Sequence, residues 1–395
     1  MGIALLIIGL LLFIGLVVIH EWGHFVAARR GGVDVEEFGI FFPPALWRKQ
    51  IKGGPKKRGA DGKTGWDFTV NALPLGGFVK LKGEHDSDTE PGSFGAAKTG
   101  TKVKIMLAGV GMNLVIALVL FMVLAWIGMP RLIDNQFTVK SDTHVVKSDV
   151  LAGIVETKSP AEQAGLQARD KLVRIGDKTI STSAELRSTT KQFAGKDTTI
   201  TYVRDGQTHT ATVTMLTTNQ VESSKDTDNP KGYLGVVPTE FSVQRSTWSA
   251  PVVAVGLTAQ LTQLTFQGLW HALQGLGGIL AGTVTGNGTA RHNAQTEASS
   301  QVSGPVGIFV ILKDGSLLGY EFMLFIIAII SLTLAIMNVL PIPALDGGRL
   351  FVMLIARALR KQISPKTEEA IYATGFAALM LLIVVITVVD VKRFF

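Results

Sequence analysis

Four stretches of this sequence stay apolar for longer than a soluble fold requires: roughly residues 3–28, 104–129, 321–344 and 370–390. Each is long enough to cross about 30 Å of hydrocarbon as a helix. The mean hydropathy of the whole chain is +0.34. Its concentration in blocks points to membrane spans rather than to one large apolar core. The 395 residues leave room for these spans and one soluble module of roughly 100 residues. The first block has no basic leader and no small-residue cleavage site after it, so it reads as a retained helix and not a signal peptide.

Lysine and arginine near the span ends set the orientation. Arg29, Arg30, Arg48, Lys49, Lys52, Lys56, Lys57 and Arg58 follow the first span, Lys98, Lys102 and Lys104 precede the second, and Arg357, Arg360, Lys361 and Lys366 separate the third from the fourth. These stretches are expected on the cytoplasmic side. Both termini and the long region 130–320 then lie outside, against the weaker pull of Lys392 and Arg393.

The expected organisation is a polytopic α-helical membrane protein with four transmembrane helices, in segments 1–30, 103–130, 321–356 and 368–391. Segment 31–102 reads as a cytoplasmic loop. Within it, Phe68–Val70 and Phe78–Leu81 are β-type runs joined through Pro74 and Gly76-Gly77, which predicts a membrane-associated hairpin over 66–83. Residues 140–238 read as a compact extracytoplasmic α/β module. Strands are expected at 153–155, 171–175, 198–203 and 210–215, and a short helix capped by Ser159 at 160–164. Segment 239–320 is expected to hold an amphipathic stretch and a flexible polar linker over 285–302.

The chemistry is concentrated in His20-Glu21-Trp22-Gly23-His24. Residues four apart on a helix share a face, about 6 Å apart along the axis, so both imidazoles can reach one cation. Glu21 beside them can take a proton from a water activated by that cation and pass it to a leaving amine. Ionisable groups inside an apolar span cost roughly 2–3 kcal/mol or more unless they are used. The chain has no cysteine, so a third ligand must be His, Asp or Glu. Asp346 is the candidate, in Asn338-Val-Leu-Pro341-Ile-Pro343-Ala-Leu345-Asp346-Gly347-Gly348. The charge-derived orientation brings the ends of spans one and three to the same cytoplasmic face. Two His and one carboxylate leave a fourth tetrahedral position open, as catalytic zinc requires.

These motifs together resemble the site-2 protease family of intramembrane zinc metalloproteases, in particular the bacterial regulator of sigma-E protease type. His20–His24 matches the family's H-E-x-x-H, and Asn338–Gly348 its N-x-x-P-x-x-x-L-D-G-G. Ser303-Gly304-Pro305-Val306-Gly307 matches the segment before it, Gly109–Asn113 a G-x-x-x-N element, and Ala72–Glu84 the membrane-associated hairpin. The module at 140–238 is similar to a PDZ domain, with Ser159–Ile180 as its helix-turn-strand signature and Gly232-Tyr233-Leu234-Gly235 as its ligand loop. Relatives with two such domains are well known; this chain has room for one, the form common in actinobacteria.

The resemblance implies one zinc ion on His20, His24 and Asp346, with Glu21 as general base and acid. It implies substrate contacts at Asn338, Pro341, Gly76, Gly77, Phe78 and Asn113, although close helix packing accounts equally well for Asn113. The implied substrates are single-span membrane proteins already trimmed by another protease, such as anti-sigma factors or remnant signal peptides, cut near the cytoplasmic side of a bacterial plasma membrane amid its lipid. Nucleic acid is not an expected partner. Nor is nucleotide: Gly92–Thr99 is nearly a phosphate-binding loop, but Ala97 stands where that motif needs glycine. The alternative reading, a catalytically silent membrane PDZ scaffold, is opposed by the intact His20, Glu21, His24 and Asp346.

Overall fold

The computed structural model describes residues 2–51, 65–133, 135–204, 206–224, 230–285, 304–361 and 363–394. The chain divides into two compact units, Met1–Met122 with Ala254–Phe395, and Val123–Val253.

The first unit is built on long apolar helices. These are α1 (Gly2–Arg30), α2 (Thr99–Ile127), α6 (Ala250–Thr285), α7 (Pro305–Leu318), α8 (Tyr320–Val339), α9 (Asp346–Ala358) and α10 (Pro365–Phe394). The helices α3 to α5 belong to the second unit. Four of the seven are long and apolar enough to cross a membrane: α1, α2, α8 and α10. Ile3, Ile7 and Leu11 form an exposed stripe on α1, and Phe376, Leu381, Val384 and Val388 lie exposed on α10. Exposed apolar faces of this length are at rest only in hydrocarbon. Inside, Leu16, Leu312, Met323, Ile326 and Ile327 pack α1 against α7 and α8.

Segment 321–356, expected as one spanning element, is two helices. Helix α8 ends at Val339, and α9 restarts at Asp346 after a loop holding Pro341 and Pro343. A Cβ on Gly347 would collide with the carbonyl of Val339, and one on Gly348 with that of Ile342. Only glycine lets α9 fold back this closely, and that return fixes where Asp346 stands.

The hairpin expected over 66–83 takes a different form. Residues 66–81 make one bent strand, β2 (Trp66–Leu81), and its partner is β1 (Val35–Ile51), antiparallel to it. Both ends of β2 find partners in β1: Ile40 pairs with Gly77 and also with Val70. The sequence pattern over residues 35–51 reads as loop. Pro43-Pro44, joined by a cis peptide, and Phe41 at φ 66° interrupt the strand pattern, and pairing to a distant partner overrides that local signal. Phe25, Phe38, Phe94, Ile105 and Met353 bury together and hold the sheet against α1, α2 and α9. The following segment is clamped by the buried Lys102, whose ammonium meets Asp86 and donates to the carbonyl of Gly95 at 2.7 Å. Arg357 reaches Asp86 at 3.3 Å.

The second unit is a seven-stranded sheet in the order β3-β9-β4-β5-β7-β8, with β6 on β5. Its strands are β3 (Met129–Arg131), β4 (His144–Val155), β5 (Lys171–Ile175), β6 (Lys178–Thr179), β7 (Asp197–Arg204), β8 (Gln207–Thr214) and β9 (Val236–Arg245). Three short helices accompany them: α3 (Pro160–Gln163), α4 (Ser183–Gln192) and α5 (Thr218–Glu222). Ser159 caps α3 as its sequence suggests, accepting from Glu162 N. Val150, Leu172, Ile175 and Ile200 are fully buried, each stabilising by about 1.5–3 kcal/mol. The module reaches beyond the expected 140–238: β3 and the second half of β9 flank it, so residues 239–245 are strand, not amphipathic segment. That segment is one helix, α6. The expected linker from residue 286 onward, and Ser303 with it, lies outside the described residues.

Candidate metal centre

Helix α1 carries His20, Glu21 and His24 in its C-terminal part, and α9 brings Asp346 to them from 325 residues or so along the chain. Asp346 Oδ2 stands 3.1 Å from Nε2 of His20 and 3.1 Å from Nε2 of His24. The two Nε2 atoms are 3.2 Å apart. Three electron-pair donors thus form a nearly equilateral triangle. Ligands at 2.0–2.1 Å on a tetrahedral zinc are about 3.3–3.4 Å from one another, so the triangle matches one face of that tetrahedron with slight compression. Asp346 Oδ2 is buried and accepts no hydrogen bond. A carboxylate oxygen left so, facing two nitrogens, fits a bound cation. Among the described residues this is the one cluster of three or more His, Cys, Asp or Glu with metal-ligand spacing.

Helix α2 shapes the other wall. Nδ1 of His24 lies 2.7 Å from the carbonyl oxygen of Ile105. Nδ1 of His20 lies 3.2 Å from the side-chain amide of Asn113. Between them, a Cβ on Gly109 would collide with Nε2 of His24 and come within 2.8 Å of Nε2 of His20. The G-x-x-x-N spacing therefore sets a cleft and an amide one turn apart against the imidazole pair. The carbonyl of Ile105, one turn earlier, has no sequence signature, because every residue has one.

The inner stretch of β2 forms a third side. A Cβ on Gly77 would lie 3.1 Å from Cγ of Glu21, so the strand passes against the glutamate. Gly76 sits at φ 125°, and Phe78 stacks on Phe42 with ring centres 6.2 Å apart. Residues 77–81 pair with β1 on one side; among the described residues no strand pairs with their other edge.

The remaining sequence candidates stand elsewhere. Asn338 lies on α8 and its amide nitrogen donates to the carbonyl of Leu334 at 3.0 Å, within its own helix. Pro341 is exposed in the loop before Asp346. In the second unit, Leu234 is buried, and the carbonyls of Tyr233, Leu234 and Gly235 accept from Leu216, Ala161 and Glu156. This loop is thereby tied to α3 and its approach, with Gly235 at φ 75° against Ser159.

The sequence as a whole has relatives. A protein of Clostridium perfringens, whose name places it among the zinc metalloproteases, is 29% identical over 98% of both chains. The zinc metalloprotease RasP of Oceanobacillus iheyensis is 24% identical over 98% of both. RasP of Shouchella clausii is 25% identical over 97% of this chain and 98% of its own. The model of Peptidase family M50 matches residues 8–382, a span that holds both halves of the metal centre. The chain belongs to peptidase family M50, the site-2 protease family.

Proposed function

We propose that this protein is a zinc-dependent endopeptidase of the membrane that cuts single-span proteins in or near the bilayer, with Glu21 as general base and acid. One observation carries the reading: His20, His24 and Asp346 converge at 3.1–3.2 Å beside Glu21, at the end of an apolar helix. Relatives named as zinc metalloproteases over their whole length support it.

Zinc held by His20, His24 and Asp346 would supply Lewis acidity to a water and to the scissile carbonyl. Glu21 takes the proton from that water and returns it to the leaving amine. The Gly77 strand passes against it on one side, and the buried His20 precedes it on the helix.

A peptide bond inside a helix is shielded by its own hydrogen bonds, and in hydrocarbon those bonds cannot be left unmade. The open edge at Gly77–Leu81 offers a replacement. A substrate unwound into an extended strand would pair with it and lay its backbone beside Glu21. Gly76, Gly77 and Phe78 then contact the substrate from the sheet, and Asn338 and Pro341 from the approach to Asp346. The second unit, PDZ-like in its Ser159-capped helix and Gly232–Gly235 loop, acts outside as a filter for substrates trimmed by another protease. The charge-derived orientation puts the metal near the cytoplasmic side.

Co-expression with candidate single-span substrates tests this. The wild type is expected to release a fragment whose new end, located by mass spectrometry, falls in or beside the membrane segment, and Glu21→Ala to release none. Equal processing by both would sink the proposal.

A further inference from the structure

A neutral imidazole that binds a metal through Nε2 carries its proton on Nδ1, and that N–H needs an acceptor. His24 has one in the Ile105 carbonyl, at 2.7 Å. At the same place beside His20 stands Asn113, whose amide lies 3.2 Å from Nδ1. Asn113 is 1% exposed, so no bulk water can take the role. Ile105, Gly109 and Asn113 are spaced by four along α2 and so lie on one face. Each faces the imidazole pair.

The amide can turn either way, and the two choices differ chemically. With its nitrogen toward His20, Nδ1 must offer a lone pair. The ring proton then sits on Nε2, between the other two ligand atoms, and excludes a cation. That orientation also leaves Asn113 Oδ1 buried without a partner. A half-turn about Cβ–Cγ exchanges oxygen and nitrogen in nearly the same volume. Nδ1–H of His20 then donates to Oδ1, and Nε2 is free for the metal.

We infer that Asn113 is a positioning residue of the metal centre, accepting from His20 Nδ1–H and holding that ring in its metal-binding tautomer. This differs from the substrate contact that the sequence motif implies, and it rests on the zinc reading above. The residue is itself anchored. Its backbone carbonyl accepts from Ser331 Oγ at 2.8 Å, and Ser331 on α8 is fully buried. A polar relay, Ser331 to Asn113 to His20, thus links three helices at the level of the metal.

Zinc affinity of the purified full-length protein, measured by competition with a chelating indicator, tests the inference without reference to turnover. Asn113→Leu keeps the volume and removes the acceptor, and it is expected to weaken zinc binding about 10–100-fold. Asn113→Asp presents an acceptor in either orientation and is expected to bind zinc within about threefold of wild type, or more tightly. A leucine variant with unchanged affinity overturns the inference. So does an aspartate variant that loses tenfold, and this second result decides even where the leucine variant does not fold. A rise in KM with zinc affinity unchanged would return Asn113 to the substrate. Wild-type protein that binds no zinc overturns the metal reading itself, whereas wild type and Asn113→Leu binding equally overturns only the role of Asn113.

Discussion

Gly77 and Glu21 share one space: a single added carbon on Gly77 would lie 3.1 Å from Cγ of the glutamate. The sheet that offers a strand edge and the helix that offers a proton acceptor are therefore in contact, with no side chain between them. Gly77→Val forces one of them aside. The expected outcome is a fall in kcat of at least about tenfold, as misplacement of a general base predicts. Zinc content should stay at one per chain, because neither His20 nor His24 touches residue 77. A variant that loses zinc in parallel with activity would show that the strand supports the metal centre instead.

Gly109 makes the complementary case. Its missing side chain is the space that the two Nε2 atoms occupy. Gly109→Leu is expected to abolish zinc binding by filling that space. The helices themselves should survive in detergent, as judged by circular dichroism and a monodisperse elution profile. Full zinc occupancy in this variant would mean that α2 lies farther from the imidazoles than the structure places it.

Ligands and base separate by their readouts. His24→Ala and Asp346→Ala each remove one donor of three and are expected to lose both zinc and cleavage. Glu21→Gln leaves the donors intact, so it should retain zinc while cleavage falls about 10²–10⁴-fold. Atomic absorption on the purified variants distinguishes the two classes.

How much of this was readable in advance follows from how local each signal is. The His20–His24 pair is a spacing of four within one helix, and helix periodicity alone puts both rings on one face. Asp346 is legible from its place in the Asn338–Gly348 motif at the end of the third apolar block, and the expected direction of the spans agrees with it. The strand Val35–Ile51 is not legible in this way, since it forms only by pairing with β2, a separate stretch of chain, and Pro43-Pro44 disguises it. The relation of Asn113 to His20 depends on the register of α2 against α1, which no single-helix pattern encodes. The module's expected end at residue 238 falls inside β9 for a similar reason: residues 239–245 are held by β3 and β4, both distant in sequence.

Asp142 gives the second unit an acid-sensitive joint. Desolvation acts against its charge, but hydrogen bonds from the hydroxyls and backbone N–H groups of Ser249 and Thr247 outweigh it and hold its carboxyl well below the ordinary 3.8. A depressed carboxyl contributes stability that is fully present above its unfolded value and is lost as pH falls through the folded one. Amide hydrogen exchange at Thr247 and Ser249 is expected to be faster in Asp142→Ala than in wild type from pH 7 down to about pH 4, the difference shrinking only on further acidification. A difference that vanishes between pH 7 and pH 5 would put the folded carboxyl above its ordinary value and contradict this reading.

Zinc-dependent cleavage of a single-span substrate by purified, reconstituted protein bears most directly on the central claim. Chelated enzyme should be inactive and should recover in proportion to added zinc, up to one equivalent per chain, while Glu21→Gln takes up the same equivalent and stays inactive. Cleavage by the metal-free enzyme, or by zinc-loaded Glu21→Gln at the wild-type rate, would contradict a metal centre of His20, His24 and Asp346 served by Glu21.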